Sequence, residues 1–156
     1  GAKEVVSVDL SPKYIEWLQQ NLALNPELNH TAHTAMTTKV DEALDELSKR
    51  EQKFEFIICD PPSSSSDGEK RTSAIKSYRE LILKIDRVLE KNGKVVLFLN
   101  THQVTPEKFE KTIKDYLNEL KLSYKLVSKI TLGQDCPVLK GFPEGNYLKG
   151  IVLEKL

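Results

Sequence analysis

Short apolar runs alternate along the chain with amphipathic segments of helical periodicity. The apolar runs predict strands at Glu4–Leu10, Thr31–Thr38, Phe54–Cys59 and Lys94–Leu99, and the periodic segments predict helices over 12–24, 41–49, 73–91 and 106–120. Such alternation is typical of a mainly parallel sheet. After the last helix the rhythm changes, because Ser123–Leu132 and Tyr147–Glu154 are predicted as two strands with no helix between them. This pair predicts an antiparallel end to the sheet.

Local signals place the ends of several helices. Ser11 is a candidate N-cap, and Pro12 suits the first position of the helix over 12–24. Asn92-Gly93 is predicted to close the helix over 73–91, so that the next strand begins at Lys94. The large side chains of Trp17 and Phe98 are interpreted as core residues.

Length and composition fit one globular domain covering residues 1–156. The chain has 39% hydrophobic residues, and its 23 basic and 23 acidic residues give a net charge of zero. This balance argues against a strongly basic nucleic-acid surface. Two cysteines favour a reducing, cytoplasmic location, and no apolar run is long enough to span a membrane. The scattered histidines predict no metal site.

Two acidic residues follow apolar strands. Asp9 ends the first strand, at the edge where open α/β sheets bind ligands and where a carboxylate binds ribose hydroxyls. The alternative is that Asp9 only helps to cap the following helix. Asp60 follows another strand and precedes Pro61 and Pro62, which fix the backbone and leave its carbonyl groups free to accept hydrogen bonds. A rigid turn is the alternative for this Asp-Pro-Pro segment.

Three segments carry a resemblance to a known family. VVSVDLSPKYIEWLQQN, FEFIICDPPSSSS and LEKNGKVVLFLN, in this order, resemble the second, fourth and fifth conserved blocks of class I S-adenosylmethionine-dependent methyltransferases. The serine-rich loop and the ending GQDCPVLKGFPEGNYLKGIVLEKL are similar to bacterial 23S (large-subunit) ribosomal RNA methyltransferases. The resemblance implies a Rossmann-like three-layer α/β sandwich, with a mostly parallel sheet and an antiparallel end.

The same resemblance implies roles for individual residues. Asp9 would hold the ribose of S-adenosylmethionine, and either Asp41 or Glu42 would face the adenine edge. Acids that favour a helix N-terminus are the alternative for Asp41 and Glu42. The Asp60-Pro61-Pro62 segment would line the place where the methyl group meets its acceptor, with Asp60 also near the cofactor. Ribosomal RNA is the implied partner.

The chain departs from the family pattern at three places. The glycine-rich loop and the central first strand are absent, so the 156 residues alone are expected to bind cofactor poorly and to be inactive. Ser64 stands where relatives carry an aromatic residue suited to base stacking. Asn100 stands where the cytosine-C5 branch has its cysteine nucleophile, which favours a guanine nitrogen as the acceptor and places Asn100 at the acceptor site.

Two other functions stay open at this point. An NAD-binding oxidoreductase domain shares the fold and the acid at Asp9, but gives no reason for the Asp-Pro-Pro segment. A non-catalytic interaction module is the second alternative.

Overall fold

A computed structural model describes residues 1–28, 31–61, 64–65 and 72–156. The chain divides into two compact units, Gly1–Glu51 (unit 1) and Gln52–Leu156 (unit 2). The prediction of a single domain over 1–156 stays a prediction. In the described part of the chain, no helix has the length and apolar character needed to cross a membrane.

Unit 1 is a β-α-β-α arrangement. It consists of β1 (Glu4–Asp9), α1 (Pro12–Ala23), a 3₁₀ turn (Pro26–Leu28), β2 (Ala32–Thr37) and α2 (Val40–Lys49). β1 and β2 pair in parallel, with Glu4 opposite Ala32 and Asp9 opposite Thr37. Both carboxyl ends therefore lie at one edge of the sheet. Ile15 of α1 and the apolar face of α2 supply the buried residues of this unit.

Trp17 contradicts its predicted place in the core. Its side chain is 48% exposed, and that of Tyr14 is 55% exposed. The two rings lie 5.5 Å apart, and the ammonium of Lys13 lies 4.8 Å from the Trp17 ring centre. The helix buries only Ile15, so Trp17 is a surface residue whose ring contacts an aromatic neighbour and a cation.

Unit 2 contains a four-stranded mixed sheet. Its elements are β3 (Phe54–Cys59), the short strands β4 (Ser64–Ser65) and β5 (Thr72–Ser73), α3 (Ala74–Val88), β6 (Leu89–Asn100), α4 (Pro106–Glu119), β7 (Tyr124–Thr131), a 3₁₀ turn (Pro143–Gly145) and β8 (Leu148–Lys155). The strand order is β3-β6-β8-β7. β3 and β6 are parallel, whereas β8 is antiparallel to both β6 and β7. The predicted antiparallel end is present.

The predicted mostly parallel sheet occurs as two parts. The β1–β2 pair and the sheet of unit 2 share no hydrogen-bonded strand pair among the described residues. β1 and β3 are each paired on one side within this part of the chain. The prediction that a central strand is missing stays a prediction.

The helix over 73–91 ends earlier than predicted. α3 stops at Val88, and Leu89 already pairs with Phe54 as part of β6. Asn92 has a positive φ of 64°, and a Cβ on Gly93 would lie 2.8 Å from the Glu90 carbonyl oxygen. Asn92-Gly93 therefore lies within β6, where the register with β3 shifts, rather than at the end of a helix.

The core of unit 2 lies around β6. Val95, Leu97 and Leu99 alternate with Val96 along the strand, and all four are at least 95% buried. Such a continuous apolar run is typical of a strand covered on both faces. Phe109 of α4 is fully buried and packs against Tyr78 of α3, with 5.7 Å between the ring centres.

Candidate active site

Asp9 lies at the carboxyl end of β1 and contacts the start of α1. Its Oδ1 accepts a hydrogen bond of 2.7 Å from the backbone N–H of Ser11, whereas the Ser11 side chain makes no capping bond. The contact expected if Asp9 helps to cap α1 is thus present in the structure. A carboxylate has about four acceptor positions, so this single bond leaves capacity for ribose hydroxyls. The ligand role of Asp9 stays a prediction.

Asp41 and Glu42 lie at the same edge of unit 1 as Asp9. Thr38 follows β2, and its backbone N–H donates to the Asp9 carbonyl at 3.2 Å. The Thr38 hydroxyl donates to Oε2 of Glu42 at 2.6 Å. Both acids are exposed in the first turn of α2. The structure brings three of the four predicted cofactor residues to one edge of unit 1, and the choice between Asp41 and Glu42 stays open.

Asp60 and Asn100 lie at the carboxyl edge of unit 2. Cys59, the last residue of β3, is opposite Leu97 of β6, and the strands are parallel. Asp60 therefore follows β3 beside the last residues of β6, which ends at Asn100. Pro61 is half-buried directly after Asp60. Pro62 lies outside the described residues, and its predicted role stays a prediction.

Asp60 and Cys59 are neighbours at this edge, and burial raises the pKa of both side chains. Asp60 is exposed as a residue, yet partial desolvation raises the pKa of its carboxyl group. Burial raises the pKa of the Cys59 thiol to about 12, and the nearby Asp60 charge adds to that effect. A thiol with this pKa is protonated at neutral pH and is a poor nucleophile. Cys59 is a buried small residue.

Two polar residues at this edge were not identified as site residues from the sequence. Tyr78 is buried on α3, and its hydroxyl contacts the ends of β3 and β6. Lys149 of β8 is only 3% exposed. Its ammonium donates to the Tyr147 carbonyl at 2.8 Å and to the Thr101 carbonyl. Burial lowers the pKa of Lys149. In the sequence, the signal for Lys149 is a single lysine within an apolar strand.

The side chains of Cys136 and Arg79 are exposed. Cys136 is exposed in the loop between β7 and β8, and Arg79 pairs with Glu119 at 2.6 Å on the helix surface. Lys70 and Arg71 lie outside the described residues. Within the part of the chain that the structure describes, no three histidine, cysteine or acidic residues are grouped as metal ligands.

Comparisons with known proteins give the family. Ribosomal RNA large subunit methyltransferase I of Tolumonas auensis is 30% identical over 156 residues, which are 100% of this chain and 39% of that protein. "Putative ribosomal RNA large subunit methyltransferase YwbD" of Bacillus subtilis is 28% identical over 99% of this chain and 39% of that protein. The chain thus spans about two fifths of the length of these relatives.

A solved structure gives the fold. The crystal structure of SMU.776, described as "a putative methyltransferase complexed with SAH", has a TM-score of 0.81 and 26% identity, over 99% of this chain and 40% of that one. The predicted resemblance and the Rossmann-like methyltransferase fold class are confirmed. A protein family described as Conserved hypothetical protein 95 matches residues 1–123. The chain therefore belongs to the Conserved hypothetical protein 95 family, within a methyltransferase fold.

Proposed function

We propose that the chain is the cofactor-binding and catalytic part of an S-adenosylmethionine-dependent methyltransferase that modifies a base of ribosomal RNA in the cytoplasm. One observation carries the proposal: Asp60-Pro61 lies beside the end of β6 in a chain 26% identical to SMU.776, described as "a putative methyltransferase complexed with SAH". The names of the ribosomal RNA methyltransferase relatives support the class of substrate. The oxidoreductase alternative has no comparable support.

The acids of unit 1 suit the nucleoside half of the cofactor. Asp9 presents acceptor oxygens for ribose hydroxyls at the end of β1. Asp41 or Glu42, at the same edge, presents a carboxylate for the adenine edge. Thr38 restrains the carboxylate of Glu42, so that its position is set before a ligand arrives. S-adenosylmethionine supplies an electrophilic methyl group on sulfur when it is bound.

The residues of unit 2 suit a direct transfer. We assign Asp60, Pro61, Pro62 and Asn100 to the border of the acceptor pocket, where they orient the base and exclude water. A nitrogen with its own lone pair needs only alignment with the methyl group, whereas cytosine C5 needs a thiolate to add to the ring first. The protonated Cys59 and the asparagine at position 100 favour a guanine nitrogen.

The test is methyl transfer to unmodified ribosomal RNA, followed by nucleoside analysis. We expect a methylated guanosine, and replacing exposed Cys136 by serine should leave the yield unchanged. Methylation of cytosine C5 that is lost in Cys136→Ser would overturn the choice of base.

No glycine-rich loop occurs in the sequence, so we expect residues 1–156 alone to be inactive and a chain extended upstream by about 30 residues, one βα unit, to be active. No transfer by either chain would leave a non-catalytic module.

Replacing Asp9 by alanine is expected to weaken binding of S-adenosylhomocysteine to the extended chain about tenfold. The reason is the loss of charge-assisted hydrogen bonds to the ribose, which contribute roughly 1.5 kcal/mol or more. Isothermal titration calorimetry measures the change.

The matched control is Asp9→Asn. The asparagine keeps an oxygen acceptor for the Ser11 N–H, so it preserves the contact with the start of α1. It loses the charge and one of the two acceptor oxygens. If Asp9→Asn binds as tightly as the wild-type protein while Asp9→Ala does not, Asp9 acts through the helix and the ribose assignment is wrong.

A further inference from the structure

Tyr78 places its hydroxyl between the ends of two neighbouring strands. The side chain is fully buried, and the hydroxyl lies 3.2 Å from the Cys59 carbonyl oxygen. It also donates to the carbonyl oxygen of Phe98. A tyrosine hydroxyl has one proton, which the two carbonyl groups share. Burial raises the pKa of Tyr78, so the group stays protonated and remains a donor.

The two carbonyl groups belong to the strands that carry the acceptor site. Cys59 directly precedes Asp60, and Phe98 lies two residues before Asn100. β3 has its only described strand partner in β6, so the position of its carboxyl end depends on that pairing and on α3. The Tyr78 hydroxyl is therefore a direct link between the backbone positions of Asp60 and Asn100.

We propose that Tyr78 is a positioning residue of the acceptor site: its hydroxyl fastens the carboxyl ends of β3 and β6 to each other and sets the separation of Asp60 and Asn100. The inference rests on the proposed function for its effect on catalysis. Its structural part is independent of that function. Tyr78 does not touch the reacting atoms and acts through the two strand ends.

The same helix offers a matched control at its other end. Tyr124 of β7 donates to Oδ1 of Asp86 at 2.8 Å. Asp86 lies near the end of α3, whereas Tyr78 lies near its start. Tyr124 pairs with Lys155, at the sheet edge opposite to Asn100, which pairs with Leu148. Tyr124→Phe thus removes a partly buried hydroxyl from β7 and its hydrogen bond to Asp86 of α3, and leaves the acceptor edge unchanged.

The first measurement is hydrogen exchange on residues 1–156, which needs no activity. Tyr78→Phe should accelerate exchange of the Asp60 amide and of the amides of residues 98–101. Tyr124→Phe should leave these amides unchanged and should accelerate exchange at the opposite edge. If Tyr78→Phe leaves exchange at Asp60 and at residues 98–101 as in the wild-type protein, the proposed link is overturned, whatever the activity.

The second measurement is methyl transfer by the chain that proves active. We expect Tyr78→Phe to lower kcat about tenfold, within the roughly 100-fold that a misplacement of about 1 Å costs. The KM for RNA and the Kd for S-adenosylhomocysteine should change less than twofold, and Tyr124→Phe should keep the wild-type kcat. Equal kcat losses in the two variants would reduce Tyr78 to a structural residue. Absence of methyl transfer by both residues 1–156 and the chain extended upstream would overturn the proposed function instead.

Discussion

Replacing Asp60 by alanine is expected to lower kcat for methyl transfer by about 100-fold. Asp60 is the charged side chain directly after β3, at the edge where β6 ends in Asn100. In the proposed acceptor pocket, loss of the carboxylate removes a hydrogen-bond acceptor, and misplacement of the reacting groups by about 1 Å is enough for a loss of this size. Single-turnover transfer to ribosomal RNA measures the change.

The stability of Asp60→Ala separates a catalytic role from a structural one. Because desolvation raises the pKa of Asp60 in the folded chain, the folded state holds the proton more tightly than the unfolded state. Ionisation of Asp60 therefore lowers stability as the pH rises through its folded pKa, and no such penalty exists at low pH, where both states are protonated. At pH 7 the variant should be at least as stable as the wild-type protein. A variant that loses activity because it unfolds would contradict this expectation.

Asp115→Ala is the matched control for the activity loss. Asp115 is an exposed aspartate on α4 that pairs with Lys111 at 2.8 Å. An exposed ion pair of this kind contributes roughly 0–1 kcal/mol. Asp115→Ala should keep the wild-type kcat. A loss in both variants would show that the assay responds to any removed carboxylate, and the assignment of Asp60 to the pocket would fail.

Replacing Phe109 by alanine is expected to lower the free energy of unfolding by about 3–5 kcal/mol, the usual cost of truncating a buried aromatic residue. Phe109 is fully buried in α4 and packs against the ring of Tyr78. The variant leaves a cavity between α3 and α4. Urea unfolding monitored by circular dichroism measures the loss, which is a large share of the roughly 5–15 kcal/mol of a typical domain.

The chain offers the same substitution at an exposed position. Phe142, in the loop between β7 and β8, has 55% of its surface exposed. Phe142→Ala should change the free energy of unfolding by roughly 0.5 kcal/mol or less, as for most surface substitutions. If Phe109→Ala costs no more than Phe142→Ala, α4 is not packed on α3 as described.

The sequence predicts the order of strands and helices well because the signals are local. β-branched apolar runs mark β3 and β6, and the helical spacing of apolar residues marks α3. The end of α3 is different. The apolar periodicity continues through Leu89, and Asn-Gly is compatible with both a helix end and a tight turn. Pairing of Leu89 with Phe54 decides between them, and no local signal contains that contact.

The same distinction applies to the candidate site. Acids after strands, such as Asp9 and Asp60, are visible in the sequence because the strand itself fixes their place at the sheet edge. The link made by Tyr78 is invisible, since its partners are backbone carbonyl groups that carry no residue identity. Trp17 was wrongly predicted as a core residue and is exposed. A large apolar side chain on a helix does not show which face of the helix is covered.

The strand order of unit 2 has a consequence for synthesis on the ribosome. β8 lies between β6 and β7, although it is made after both of them. Its first residue, Leu148, follows Asn100 by 48 positions, an interval of roughly 2–10 s at about 5–20 residues per second. During that time the apolar β6 lacks the neighbour that occupies one of its sides. The nascent chain therefore exposes an apolar strand with an unpaired edge, which is prone to aggregation, until β8 emerges. A chaperone that shields β6 would raise the yield of folded protein.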